Sequence, residues 1–135
     1  MHSITRPTAS HAFSAADVSD QAPVFVQTEV SEPELLARFF RVLGDPTRVR
    51  LVQLLLDAPT GECTVGELVS ALSAPQSRVS THLGCLRWCG LVQTRRGGKQ
   101  VYYRVADPRV RELLTVGSAL LHDYAAGVAS CGVIR

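Results

Sequence analysis

Two cysteines, Cys85 and Cys89, stand four residues apart in the segment HLGCLRWCGL, and two more stand at positions 63 and 131. On a helix this spacing puts both Cβ atoms on one face, roughly 5–6 Å apart. Two thiolates placed so can converge on one ion, with metal–sulfur bonds of about 2.3 Å, longer for larger ions. Sulfur without matched histidines favours a soft metal or metalloid over a four-coordinate zinc structural site. Cys131 is the candidate third ligand, and Cys63 is a candidate fourth. The competing reading is packing, since buried thiols serve as small core residues and Trp88 lies between the pair. Metal is the better reading, because Cys89 falls at a helix end and Cys131 in a tail with no other evident use for sulfur.

The pair sits inside an unusual stretch. From Pro75 to Arg104 the chain carries Arg78, Arg87, Arg95, Arg96, Lys99 and Arg104 and no Asp or Glu. The net charge of the whole chain is only +2, so the remaining eight basic and twelve acidic residues sum to −4. A basic face on a nearly neutral protein is an electrostatic footprint for nucleic acid. Gln76, Ser77, Arg78, Ser80, Thr81 and His82 occupy the first turns of the expected helix. Gln and Arg can contact base edges there, and Ser and Thr suit phosphates. Arg95, Arg96 and Lys99 form a basic tip beyond it. His82 has three readings: a DNA contact, a metal ligand, or a side chain filling a polar pocket of the fold.

The elements that must position these groups can be read from periodicity. Residues 32–43 place Leu35, Leu36, Phe39, Phe40, Val42 and Leu43 at helical spacing, with Pro33 in the first turn and Gly44 at the end. Asp45-Pro46 caps a second helix, whose Val49, Val52, Leu55 and Leu56 face inward while Arg48 and Arg50 look outward. Thr64 and Glu67 form a capping box for a short helix to Leu72. Ser73 and Gln76 form a second box, opening a helix that runs from about Pro75 to Cys89, with Gly90 as its left-handed cap. Two helices joined by a tight turn read as a helix-turn-helix. Strands over 91–95 and 100–105 follow, joined by a hairpin turn at Gly97-Gly98. Asp107-Pro108 caps a last helix to about residue 126, with an apolar stripe running from Val110 to Tyr124. The fold class is therefore mainly α with a small β-hairpin, a winged helix-turn-helix. The last stripe and the first helix are apolar beyond what one core needs, which predicts a homodimer.

Three segments follow from this: a flexible N-terminal extension over 1–30 with a short helical piece near Ala15–Val18, a DNA-binding and dimerisation domain over 31–126, and a tail over 127–135. The extension lacks an apolar run after its charges, so it does not read as a signal peptide. Its His2 and His11 read as inert. The apolar stretch from Leu113 to Ile134 is broken by Gly117, His122, Asp123, Gly127 and Gly132, which suits an interface helix rather than a membrane span. These features place the protein in the cytoplasm, without a membrane partner, where cysteines remain thiols. The chain shows no phosphate loop, no HExxH and no nucleophile motif, and is not expected to be an enzyme.

The segments DPTRVRLVQLL, TVGELVSAL and SAPQSRVSTHLGCLRWCGLVQTRRGGKQVYYRV resemble the ArsR/SmtB family of dimeric winged-helix, metal-sensing repressors over about residues 34–126. HLGCLRWCGL is similar to the CmtR type within that family. The resemblance implies cadmium or lead bound by Cys85 and Cys89 of the recognition helix and by Cys131 from the tail of the other subunit. The family's ELCVCDL pattern aligns with ECTVGEL here, so Thr64 and Gly66 replace its cysteines and Cys63 falls one residue off. Its zinc or nickel site on the last helix is also lost: Asp107 fits, but Arg109 and Leu120 stand in histidine positions. The resulting expectation is a repressor that binds double-stranded operator DNA as a homodimer and releases it on binding Cd(II) or Pb(II), with As(III) and Hg(II) also compatible, so derepressing efflux or detoxification genes. An arsenite-, mercury- or oxidant-responsive repressor using the same thiols is the alternative. A winged helix that binds partners without sensing is a third class.

Overall fold

The computed structural model describes residues 29–134. Five helices and a small sheet follow in order: α1 Glu32–Val42, α2 Pro46–Asp57, β1 Cys63–Thr64, α3 Val65–Leu72, α4 Gln76–Trp88, β2 Val92–Gly97, β3 Gln100–Val105 and α5 Arg109–Ser130. The helical piece read near Ala15–Val18, and His2 and His11, lie outside the described residues. No helix among the described residues is long and apolar enough to cross a membrane.

Local chemistry sets most boundaries. Ser31 and Glu34 form a capping box at α1, and Asp45 Oδ1 accepts the Arg48 amide at 3.0 Å to start α2. Thr64 and Glu67 make the box read for α3. α4 ends in a Schellman motif: Gly90 adopts φ 80°, the Leu91 amide donates to Leu86 O and the Gly90 amide to Arg87 O. The second capping box read in the sequence is absent. Ser73 instead closes α3 in the left-handed conformation, at φ 50°, and α4 begins behind Pro75 with no side-chain cap. With its backbone committed to the turn, Ser73 cannot also cap the helix that follows.

The hairpin is longer than expected, and its turn is shifted by one residue. Gly97 pairs with Gln100, so the tip is Gly98-Lys99, and the left-handed position falls on Gly98 at φ 63°. β1 adds a third antiparallel strand, giving the order β1-β3-β2 with Cys63 opposite Tyr103. Two residues are too short to show a strand period in sequence. α5 runs to Ser130, so residues 127–130 of the expected tail are helical.

One cluster holds the fold together. Leu51, Val52 and Leu55 of α2, Leu68 of α3, Val79, Leu83 and Leu86 of α4, and Leu91, Val92 and Val110 are all buried. Leu51 joins the inward face of α2, whereas Val49 and Leu56 are only half-buried. The 4- and 3-residue spacing of Val79, Leu83 and Leu86 turns one side of α4 inward and leaves the opposite side to solvent. α1 contributes no buried residue and α5 contributes only Val110.

Candidate DNA interface and thiol site

Core packing of α4 decides what its other face presents. Gln76, Ser77, Arg78, Ser80 and Thr81 are exposed, as are Arg96 and Lys99 on the wing. The first turn of α4 has no side-chain cap, so the Gln76 and Ser77 amides and the positive end of the helix dipole remain open to an anion. Thr81 donates its hydroxyl to Ser77 O at 2.8 Å, which keeps its oxygen available as an acceptor.

Two of the expected DNA residues are placed differently. His82 is turned into the fold, with its side chain 19% exposed. Its Nδ1 stands 3.3 Å from Arg48 Nη1 and 3.9 Å from Asp45 Oδ1. Set against Arg48 and Asp45, the imidazole fills the polar pocket that was one of its three readings. Arg48 correspondingly does not look outward. It donates from Nε to Val42 O and from Nη2 to Arg41 O at 3.2 Å, which joins the end of α1 to α4. Burial pushes the Asp45 carboxyl up, but the Arg48 amide and the His82 and Arg48 charges outweigh it and hold it below the usual range. Arg95 is the second case: it is engaged by Glu62 and lies over Tyr102. Glu62 was not singled out from the sequence and Arg48 was read as outward-looking, because both roles depend on a helix crossing and on β1.

The four cysteines are free thiols, and the structure brings two of them together. Cys85 and Cys89 occupy successive turns of α4, with the Cys89 amide donating to Cys85 O at 3.1 Å. Burial pushes the Cys89 thiol up, as do the neighbouring Cys85 sulfur and the hydrogen bond that the Cys89 thiol shares with it, while Arg48 pulls it down. Cys63 lies on the sheet edge, its thiol also raised by burial and by Glu67 and Glu62. Cys131 closes the far end of α5. Among the described residues, no three Cys, His, Asp or Glu side chains are gathered to hold a metal ion. The donor set of one chain is thus two adjacent sulfurs. It fits a soft ion in kind but leaves coordination positions to be filled from outside the chain.

Residues 45–94 match the bacterial regulatory protein, arsR family. A probable mercury resistance operon repressor of Streptomyces lividans is 46% identical over 101 residues, covering 75% of this chain and 78% of that protein. This chain belongs to the arsR family. Its helix-turn-helix and wing are those of a transcriptional regulator. CmtR of Mycobacterium tuberculosis is 47% identical over 79 residues, 58% of this chain and 64% of its own length. The solved structure of that protein, described as a cadmium metal-sensor, matches with TM-score 0.50 and 44% identity, covering 58% of this chain and 79% of that one. A homodimeric winged helix-turn-helix DNA-binding domain from Mycobacterium bovis, a possible ArsR-family regulator, matches with TM-score 0.59 at 25% identity, covering 73% of this chain and 93% of that one.

Proposed function

We propose that the chain is a metal-responsive repressor that binds operator DNA as a homodimer and releases it when a soft ion binds the thiols of α4. The observation that carries this reading is that Cys85 and Cys89 stand together at one end of the helix whose opposite end exposes Gln76, Ser77, Arg78, Ser80 and Thr81. Cd(II) or Pb(II) is the proposed effector, held by Cys85, Cys89 and Cys131 of the partner subunit, with Cys63 a less favoured donor. The homodimer is supported by the apolar faces that α1 and α5 leave open, and by the homodimeric Mycobacterium bovis relative. Hg(II) is the second reading, favoured by the name of the Streptomyces relative; As(III) or oxidation of the same pair belongs with it. The regulator acts in the cytoplasm, on efflux or detoxification genes. Residues 1–30 are an extension to the DNA-binding and dimerisation domain at 31–126, and 127–135 carries the third ligand.

Each residue has a part in this mechanism. Gln76, Ser77, Arg78, Ser80 and Thr81 meet the major groove, and Arg96 and Lys99 meet phosphates beside it. When bound, the ion supplies a strong soft Lewis acid that favours thiolate over thiol. Cys85 and Cys89 would hold it as thiolates, with Cys131 of the partner subunit as third ligand. Such a tie would act on the spacing of the two reading heads, and a complete switch requires about 10⁴-fold preference, ~5.5 kcal/mol, for the released state. Because the Cys89 thiol is raised, effector binding should strengthen as pH rises and should release protons.

The test is operator binding by the reduced protein titrated with cadmium, lead, zinc, mercury and arsenite, beside Cys85→Ser/Cys89→Ser. Release of the wild type alone, with thiolate-to-metal absorption lost in the variant, supports the reading and names the ion. Tight binding that no ion relieves overturns the sensor part and leaves the DNA-binding part standing.

A further inference from the structure

Arg95 lies in the middle of the basic stretch but is not a free charge. Its Nε lies 2.8 and 3.1 Å from the two Glu62 carboxylate oxygens, and its Nη2 donates to Glu62 Oε1. Its guanidinium carbon stands 4.3 Å over the Tyr102 ring, its cross-strand partner. Gly97 leaves the room for this: a Cβ there would fall 2.8 Å from Arg95 Nη1 and 2.9 Å from the Tyr102 ring. Glu62 is mostly covered, its side chain 16% exposed, while the Arg95 side chain stays 51% exposed. The Arg95 hydrogen bond holds the Glu62 carboxyl below its usual range against partial burial, and the Arg95 and Arg104 charges add to it. Arg96 and Lys99 are exposed and have no ion-pair partner among the described residues. The wing therefore contains two kinds of cation: open ones, Arg96 and Lys99 near its tip and Arg104 on β3, and one, Arg95, seated against a carboxylate, a ring and a bare glycine.

We propose that Glu62 is a counter-charge that sets how strongly the wing is attracted to DNA of any sequence. It keeps Arg95 against Tyr102 and away from phosphates, so the wing meets the backbone through Arg96 and Lys99. Each Arg or Lys that neutralises a phosphate releases condensed counterions and steepens the dependence of log K on log salt by about 0.9. That contribution is the same for every sequence, so withholding one cation lowers background binding without touching the base-reading face of α4. The proposal rests on the DNA-binding reading of the winged helix and is independent of the effector.

The experiment measures affinity for a random-sequence duplex across a salt series, using the full chain and fluorescence anisotropy. Glu62→Ala should tighten binding at low salt and steepen the slope by about 0.9. Arg95→Gln alone should leave the slope unchanged, and the double variant should return to the wild-type slope. Gly97→Ala, which crowds Arg95 out of its seat, should also steepen it and serves if Glu62→Ala fails to fold. A slope that flattens by about 0.9 in Arg95→Gln would show that Arg95 already touches phosphate, which overturns the proposal. So would a folded Glu62→Ala indistinguishable from wild type. A wild type that binds no duplex overturns the DNA-binding reading as well.

Discussion

The winged core and the two flanking helices are built to different standards. In the core, α2, α3, α4 and the sheet bury Leu51, Val52, Leu55, Leu68, Val79, Leu83, Leu86 and Val92 to 2% exposure or less. In the flanking helices the large apolar residues stay open: Leu35, Leu36 and Phe40 on α1, and Val116, Leu120, Leu121, Tyr124 and Val128 on α5, are each at least half exposed. The core is satisfied within the chain, whereas α1 and α5 carry apolar faces that one chain leaves open, and exposed apolar faces of this kind mark interfaces. The lesson is that the reading head is specified within a chain, while its placement on DNA depends on what covers the flanking helices. Arg48 spans the divide, since it bonds the end of α1 and the His82 ring of α4 at once.

The sharpest way to test this contrast is to cut into the core. Leu83→Ala should lower stability by about 2–5 kcal/mol, read as a shifted denaturant midpoint. A small loss would mean that the core is not the cooperative unit. Leu120→Glu is the matching cut on α5. It removes about 1.5–3 kcal/mol of apolar burial per subunit and should weaken self-association at least tenfold by sedimentation, with helicity kept. An unchanged mass would show that this face is covered by something other than a second copy. Arg48→Met should cost about 1–3 kcal/mol, by removing the part-buried hydrogen bonds to Val42 O and the His82 ring. If it costs nothing, the two regions are mechanically independent.

The smallest effect concerns the start of α5. Asp107 accepts the Arg109 amide and pairs with its guanidinium, which lowers its carboxyl from 3.8 to about 2. A lowered folded value means that the stabilisation is complete above the unfolded value near 4 and fades as pH falls through about 2. The stability gap between wild type and Asp107→Asn should therefore be constant near neutrality and close in that acid window. A gap that persists to the lowest pH would assign it to packing rather than charge.

How much of this was legible in the sequence follows the range of the interactions. The capping box at Thr64, the cap at Asp45 and the Gly90 stop are local patterns, and each appears as read. The Ser73 box failed even though its residue types fit, because the tight turn between α3 and α4 took the same backbone into the left-handed region. The hairpin was found, but its turn was placed one residue early, since either glycine suits a turn and only the pairing of Gly97 with Gln100 decides between them.

The site divides in the same way. The spacing of Cys85 and Cys89 set the thiols on one helix face, because helical geometry is fixed by the backbone alone. The exposed polar row from Gln76 to Thr81 likewise followed from the inward period of Val79, Leu83 and Leu86. Only the tertiary structure decided that His82 points inward to Arg48 and that Arg95 is neutralised by Glu62. These outcomes depend on contacts between residues that are 33 or more positions apart, 34 for Arg48 and His82 and 33 for Glu62 and Arg95. Residue type announces what such a side chain can bond, but the crossing of α2 over α4 and the addition of β1 to the sheet choose the partner.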